Sequence, residues 1–147
     1  MENFTLRPAR ESESAQIRGL IRLVGINPIG LDWKRFVVAV NERDEMIGCG
    51  QLKPHGKEIL ELASIAVVPE HRRQGVASAI IRHLLKDSPR PLYLTCVSSN
   101  GPFYEKFGFV SIPYEEMPRY FQRLSKLAMA LMSLSNRNDE LLVMKLQ

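Results

Sequence analysis

Hydrophobic positions along this chain switch repeatedly between the two-residue alternation of a strand and the three-to-four-residue recurrence of a helix. Phe4 to Arg7 alternates as a short strand. After Pro8 a helix begins near Glu11 or Ser12, carries Ile17, Leu20, Ile21 and Val24 on one face, and is closed by Gly25 and Pro28. Trp33 to Val40 and Met46 to Lys53 are apolar runs flanking the polar turn Asn41 to Glu45, the mark of a hairpin. Glu58 to Val68 follows as a strand entered through His55-Gly56-Lys57. Its second half, Ile65-Ala66-Val67-Val68, is apolar without alternation and predicts a central strand covered on both faces.

The period then lengthens. From Gly75 to Lys86 a helix turns Val76, Ala79, Ile80, Leu84 and Leu85 toward the sheet, and Asp87 to Pro91 stops it. Leu92 to Val97 reads as a strand. Asn100-Gly101-Pro102 opens a short helix bearing Phe103, Tyr104 and Phe107, with Gly108 as its C-terminal cap before the strand Phe109 to Ile112. The longest helical pattern starts at Pro118 and runs through Tyr120, Phe121, Leu124, Leu127, Ala128, Leu131 and Met132. Asn136 to Asp139 breaks it, and Leu141 to Leu146 is a last strand. The order predicts one α/β domain over residues 1–147, with an antiparallel front half. Parallel pairing is expected around the crossover helix Gly75 to Lys86, with a ligand at the C-terminal ends of the strands it joins.

Composition narrows the class rather than the fold. A chain of 147 residues, 45% hydrophobic and 24% charged, builds a single core, and no apolar stretch approaches the roughly 20 residues of a membrane span. The start, Met1 to Thr5, carries an acid and no apolar signal core, so a cytoplasmic protein is expected. Cys49 and Cys96 lack metal-ligand spacing and read as reduced residues of strands; no metal is expected. The net charge of +4 suits an anionic ligand, but basic residues are scattered among acids rather than gathered on a face with aromatics, and nucleic acid is not expected.

One segment carries chemistry. Arg72-Arg73-Gln74-Gly75-Val76-Ala77 lies between the doubly covered strand and an amphipathic helix. A residue without Cβ at Gly75 lets backbone N–H groups approach an anion at the positive end of the helix, and two arginines add charge. Neither a P-loop nor a dinucleotide fingerprint matches.

These residues resemble the GNAT superfamily of acyl-CoA-dependent N-acyltransferases. Its signature of Gln or Arg, two residues, Gly, one residue, and Gly or Ala is met by Arg72, Gly75 and Ala77. Val67 to Arg72 has the form in which the family's fourth strand enters its loop, and Asn100 to Phe109 is similar to its second cofactor-side motif. The resemblance implies a splayed mixed sheet flanked by helices, opened in a V between the fourth and fifth strands, here Glu58 to Val68 and Leu92 to Val97. It implies acetyl-CoA as cosubstrate: Ile65, Ala66 and Val67 pairing with the pantetheine, and the backbone of Arg73, Gln74, Gly75, Val76 and Ala77 holding the pyrophosphate. Arg72 and the Ser78 hydroxyl assist there, and Asn100 contacts the cofactor unless it is only the helix cap.

In the same reading Tyr104 returns a proton to the departing thiolate, against the plainer reading of Tyr104 as core packing among Phe103, Phe107 and Phe109. Glu61 is expected as the base for the acceptor amine, directly or through water. Glu58 is its rival, since the two face opposite sides of a regular strand and a bulge exchanges them. The amide of Ala66 or Val67 is expected to polarise the thioester carbonyl if a bulge frees it. Cys96 has no nearby His in sequence to activate it, and His55, His71 and His83 read as surface or loop residues. The acceptor is expected to be a primary amine, a small molecule ahead of a peptide N-terminus or lysine, bound by Leu23 to Trp33 and Pro113 to Arg137. The helix from Pro118, an insertion relative to the family's short hairpin, either roofs that cleft or docks on the sheet or on a second subunit as a homodimer. A CoA-binding module without turnover is the competing class.

Overall fold

The computed structural model describes residues 3–132 and 139–147. A seven-stranded mixed sheet contains β1 (Thr5–Pro8), β2 (Phe36–Val40), β3 (Met46–His55), β4 (Ile59–Val67), β5 (Leu92–Val97), β6 (Val110–Ser111) and β7 (Leu141–Leu146). Its order is β1-β2-β3-β4-β5-β7-β6. The pairs β1–β2, β2–β3, β5–β7 and β6–β7 are antiparallel, and β4 meets β5 in parallel at the register pair Glu61 with Tyr93. The helices are α1 (Ser14–Val24), α2 (Val76–Lys86), α3 (Gly101–Glu105) and α4 (Arg119–Met132). The parallel crossover through α2 is the one expected from the sequence. The predicted strand from Trp33 begins only at Phe36, because Trp33–Arg35 forms a 3-10 turn capped by the Asp32 carboxylate on the Lys34 N–H.

Two compact units form: Met1–Lys53 with Leu62–Ser88, and Pro54–Glu61 with Pro89–Gln147. In the first, Ile17, Leu20 and Ile21 of α1 pack with Phe36, Val38, Val40, Cys49 and Ala66, as their helical spacing dictates. Arg7 grips Glu13 with two N–H bonds of 2.8 and 2.7 Å, which holds the Glu13 carboxyl below the ordinary carboxylate range and ties β1 to the start of α1. On the other side of the sheet α2 buries Val76, Ile80, Ile81 and Leu84. Its close approach explains two glycines of β3: a Cβ at Gly50 would lie 2.6 Å from Ile65 Cδ1 and 2.7 Å from Ile80 Cγ2, and one at Gly48 would lie 2.9 Å from Val76 Cγ1.

In the second unit the buried centre is Tyr93, Phe121 and Val143, with Ile59, Ile112, Met117 and Tyr120 against it. Helix α4 contributes Phe121 and Ser125 to the interior, whereas Leu127 and Leu131, predicted on its apolar face, are exposed together with Met129. The predicted break at Asn136 to Asp139 falls largely outside the described residues, as does the side chain of Met132. Among the described residues no helix is long and apolar enough to cross a membrane.

Candidate active site

The anion cradle takes its shape from backbone conformation. After the 3-10 turn Pro69–His71, Arg73 (φ +64°) and Gly75 (φ +81°) both adopt the left-handed region, a course that turns successive amides toward one side ahead of α2. Arg73 holds this course without a glycine's freedom, which costs about 1–3 kcal/mol and marks the turn as constrained. No side chain caps α2, so its first N–H groups remain available to an anion. Gln74 is half-buried beside His71, with Oε1 3.4 Å from Nδ1, and Arg72 and Arg73 are exposed. Val76 is buried, and Ala77 and Ser78 are half-buried in the first turn of the helix.

Strand β4 runs continuously from Ile59 to Val67 but is distorted within it. Ser64 has φ +60° in mid-strand, and the buried neighbours Glu61 and Leu62 depart from simple alternation. The distortion also sorts the expected pantetheine partners. The Val68 N–H bonds to the Ile47 carbonyl of β3, the Ala66 N–H is directed at the Cys49 sulfur, and the Ala66 carbonyl faces Gly48. The Ala66 backbone is therefore committed to the β3 edge. By alternation the Ile65 and Val67 backbones face the opposite edge.

Glu58 lies outside β4 and is exposed, whereas Glu61 is buried at 7% exposure. Glu61 Oε1 and His55 Nε2 share a 2.7 Å hydrogen bond, which the imidazole donates when Glu61 is a carboxylate. The sequence reading placed His55 on the surface or in a loop and did not bring it to Glu61. His55 ends β3, half-buried, and stacks on Tyr120 of α4 with ring centroids 3.7 Å apart and edge-on to Phe121 at 6.0 Å. Burial first, and the Glu61 charge second, raise the pKa of Tyr120. The available signal was parity: Gln51, Lys53 and His55 place three polar side chains at two-residue intervals on one face of an otherwise apolar strand.

Tyr104 projects from α3 among Phe103 (5.1 Å, edge-on) and Phe109 (6.4 Å), and its hydroxyl has no hydrogen-bond partner among the described residues. Burial, then the nearby Cys96 sulfur, pushes its pKa up to about 12, which keeps the proton in place at neutral pH. The Cys96 thiol is pushed up to about 11 by burial and sits 3.8 Å from Met144 Sδ, a poor setting for a nucleophile. Asn100 is exposed at the start of α3 and makes no side-chain cap, so capping does not account for it. On the segment Leu23 to Trp33, an open groove of about 330 Å³ is lined by Ser14, Arg18, Leu31, Trp33 and Arg35.

A turn of left-handed backbone leads into a helix on a mixed α/β sheet, and the strand before it is distorted at Ser64. Residues 32–111, more than half of the chain, match the family model described as an acetyltransferase (GNAT) domain, and the chain belongs to that family. It is similar to the uncharacterized N-acetyltransferase YsnE of Bacillus subtilis (strain 168), 30% identical over 46% of this chain and 51% of that protein; the match spans about half the length of that relative. In fold it is similar to N-acetylglutamate synthase from Neisseria gonorrhoeae complexed with coenzyme A and N-acetyl-glutamate (TM-score 0.73, 18% identity, 100% of this chain and 36% of that one). It is also similar to Rv2747 from Mycobacterium tuberculosis in complex with CoA (TM-score 0.72, 19% identity, 97% and 98%).

Proposed function

We propose that the protein transfers the acetyl group of acetyl-CoA directly to a primary amine, with both substrates bound at once. The observation that carries this reading is the cradle from Arg73 to Ala77, whose left-handed residues and uncapped helix start suit a diphosphate. The same family membership and the coenzyme A held by two structural relatives support the choice of cosubstrate. The pyrophosphate lies on the amides of Arg73, Gln74, Gly75, Val76 and Ala77, with Ser78 and Arg72 beside it, and the pantetheine pairs with the free edge at Ile65 and Val67.

Glu61 accepts a proton from the acceptor ammonium, directly or through water, and His55 holds its carboxylate in place. The amine lone pair then forms a C–N bond to the thioester carbonyl, whose developing oxyanion is met by the Val67 amide. As the C–S bond breaks, the electron pair leaves on sulfur and Tyr104 supplies the proton that makes the free thiol; the second proton of the substrate nitrogen passes through solvent to the phenolate, and the proton held by Glu61 is released to bulk solvent. Cys96 takes no part, since its raised pKa keeps the thiol protonated. A small-molecule acceptor is favoured, a choice supported by the N-acetyl-glutamate bound to the Neisseria relative. Thermal melting with acetyl-CoA tests the cosubstrate: ligand at 100 Kd stabilises the fold by roughly 2.7 kcal/mol. An unchanged melting temperature at millimolar acetyl-CoA contradicts the assignment.

A further inference from the structure

Two buried polar groups of β3 in the first unit are sparsely paired. Gln51 is fully buried; its Nε2 donates to the Gly30 carbonyl at 3.2 Å and to Ser64 Oγ at 2.9 Å, while its Oε1 is buried with no hydrogen-bond partner. The amide cannot be turned round to relieve this, because Oε1 would then face the Gly30 carbonyl. Two residues on, Lys53 is 8% exposed, and its Nζ has a single partner, the Ile29 carbonyl at 2.7 Å, with no carboxylate within salt-bridge distance among the described residues. An ammonium has three N–H donors, and a buried one without a counter-charge is costly.

Both groups lie under one loop. These two side chains make the only hydrogen bonds among the described residues that tie Asn27 to Leu31 to another element. The loop is bracketed by left-handed glycines, Gly25 (φ +77°) and Gly30 (φ +75°), and a Cβ at Gly30 would lie 2.5 Å from Lys53 Cε. Ile29 is 72% exposed on its outer side, so little apolar burial holds it down. Gln51 also bonds Ser64, the residue that distorts β4 immediately before the segment Ile65 to Val67. The Ile29 carbonyl thus occupies a position that a stronger acceptor would fill better, and Gln51 Oε1 lacks a donor.

We infer that Gln51 and Lys53 form an acceptor subsite that takes the amino and carboxylate groups of a free amino acid, with the loop Gly25 to Gly30 closing over it. Same-face residues two apart on a strand are about 7 Å apart, a span that an α-amino carboxylate fills when hydrogen-bonded at both ends. The carboxylate replaces the Ile29 carbonyl at Lys53 Nζ, an N–H of the amine meets Gln51 Oε1, and Gln51 Nε2 keeps the Gly30 carbonyl. This rests on the acetyl-transfer reading and names its acceptor class.

The test compares free amino acids, each supplied singly, with their C-terminal carboxamides as acceptors from acetyl-CoA, in the wild type, Lys53→Met and Lys53→Arg. At least one acid is expected to be acetylated with kcat/KM tenfold or more above its amide. Lys53→Met should bring that ratio to within twofold, mainly through KM, and Lys53→Arg should keep it. Equal use of acids and amides by the wild type overturns the subsite while leaving acetyl transfer intact, as does a Lys53→Met variant that folds and keeps the preference. If no amine of either kind is acetylated, the transfer reading fails instead, and equilibrium dialysis of the same acids with coenzyme A decides the subsite. Binding lost in Lys53→Met sustains it, and no binding to the wild type overturns it.

Discussion

In the proposed reaction Glu61 and Tyr104 do opposite work with a proton, and their surroundings differ. Glu61 is a buried carboxylate that accepts from an imidazole, whereas Tyr104 sits among aromatic rings with its proton retained by burial. Glu61→Gln should lower kcat roughly 10²–10⁴-fold at neutral pH, and the deficit should shrink as pH rises toward the pKa of the acceptor amine, where free base no longer needs a base. A pH-independent deficit argues that Glu61 only shapes the site. Tyr104→Phe should lower kcat with little change in KM for acetyl-CoA. Because the Tyr104 pKa is raised to about 12, the phenol stays protonated below it, and the wild-type kcat should show no descending limb from Tyr104 between pH 7 and pH 10. Wild-type kinetics in Tyr104→Phe remove the proposed acid. Glu61 was legible in the sequence as the candidate base with Glu58 as its rival; the structure adds that Glu61 is buried and that Glu58 is exposed outside the strand, a difference that alternation alone did not give.

Among elements, the unit of β4, the left-handed turn and α2 carries the cosubstrate reading. Gly75→Ala places a Cβ at φ +81°, which costs about 1–2 kcal/mol, and also brings that carbon toward the anion. Its melting temperature should fall, and acetyl-CoA, measured by the same melts, should bind about tenfold or more weakly. Unchanged affinity would show that the turn does not hold the phosphates. The stripes of α1 and α2 were legible because each helix has one wet and one dry side: Ile17, Leu20 and Ile21, and Val76, Ile80 and Leu84, are buried as predicted. Helix α4 misled the same reasoning. Leu127, Met129 and Leu131 are exposed while Ser125 is buried, so apolar spacing there did not track burial. His55 was illegible for a different reason: its partners Glu61 and Tyr120 are brought to it by the turn after β3 and by α4, separations that a local pattern does not encode.

For the whole molecule, the order of strands and helices and the parallel crossover through α2 followed from periodicity and turn residues, and the family from three positions, Arg72, Gly75 and Ala77, with the Asn100 to Phe109 segment. The proposed acceptor residues Gln51 and Lys53 were not legible, because they read as ordinary polar positions of a strand until the loop carbonyls of Ile29 and Gly30 are seen bonded to them. The account rests on acetyl transfer to an amine, and the most direct measurement is thiol release from acetyl-CoA with a panel of primary amines and amino acids. Release that depends on the amine, is matched by acetylated product and falls roughly a hundredfold or more in Glu61→Gln is the predicted result. Release no faster with any amine than without one, in protein that binds acetyl-CoA, would contradict it.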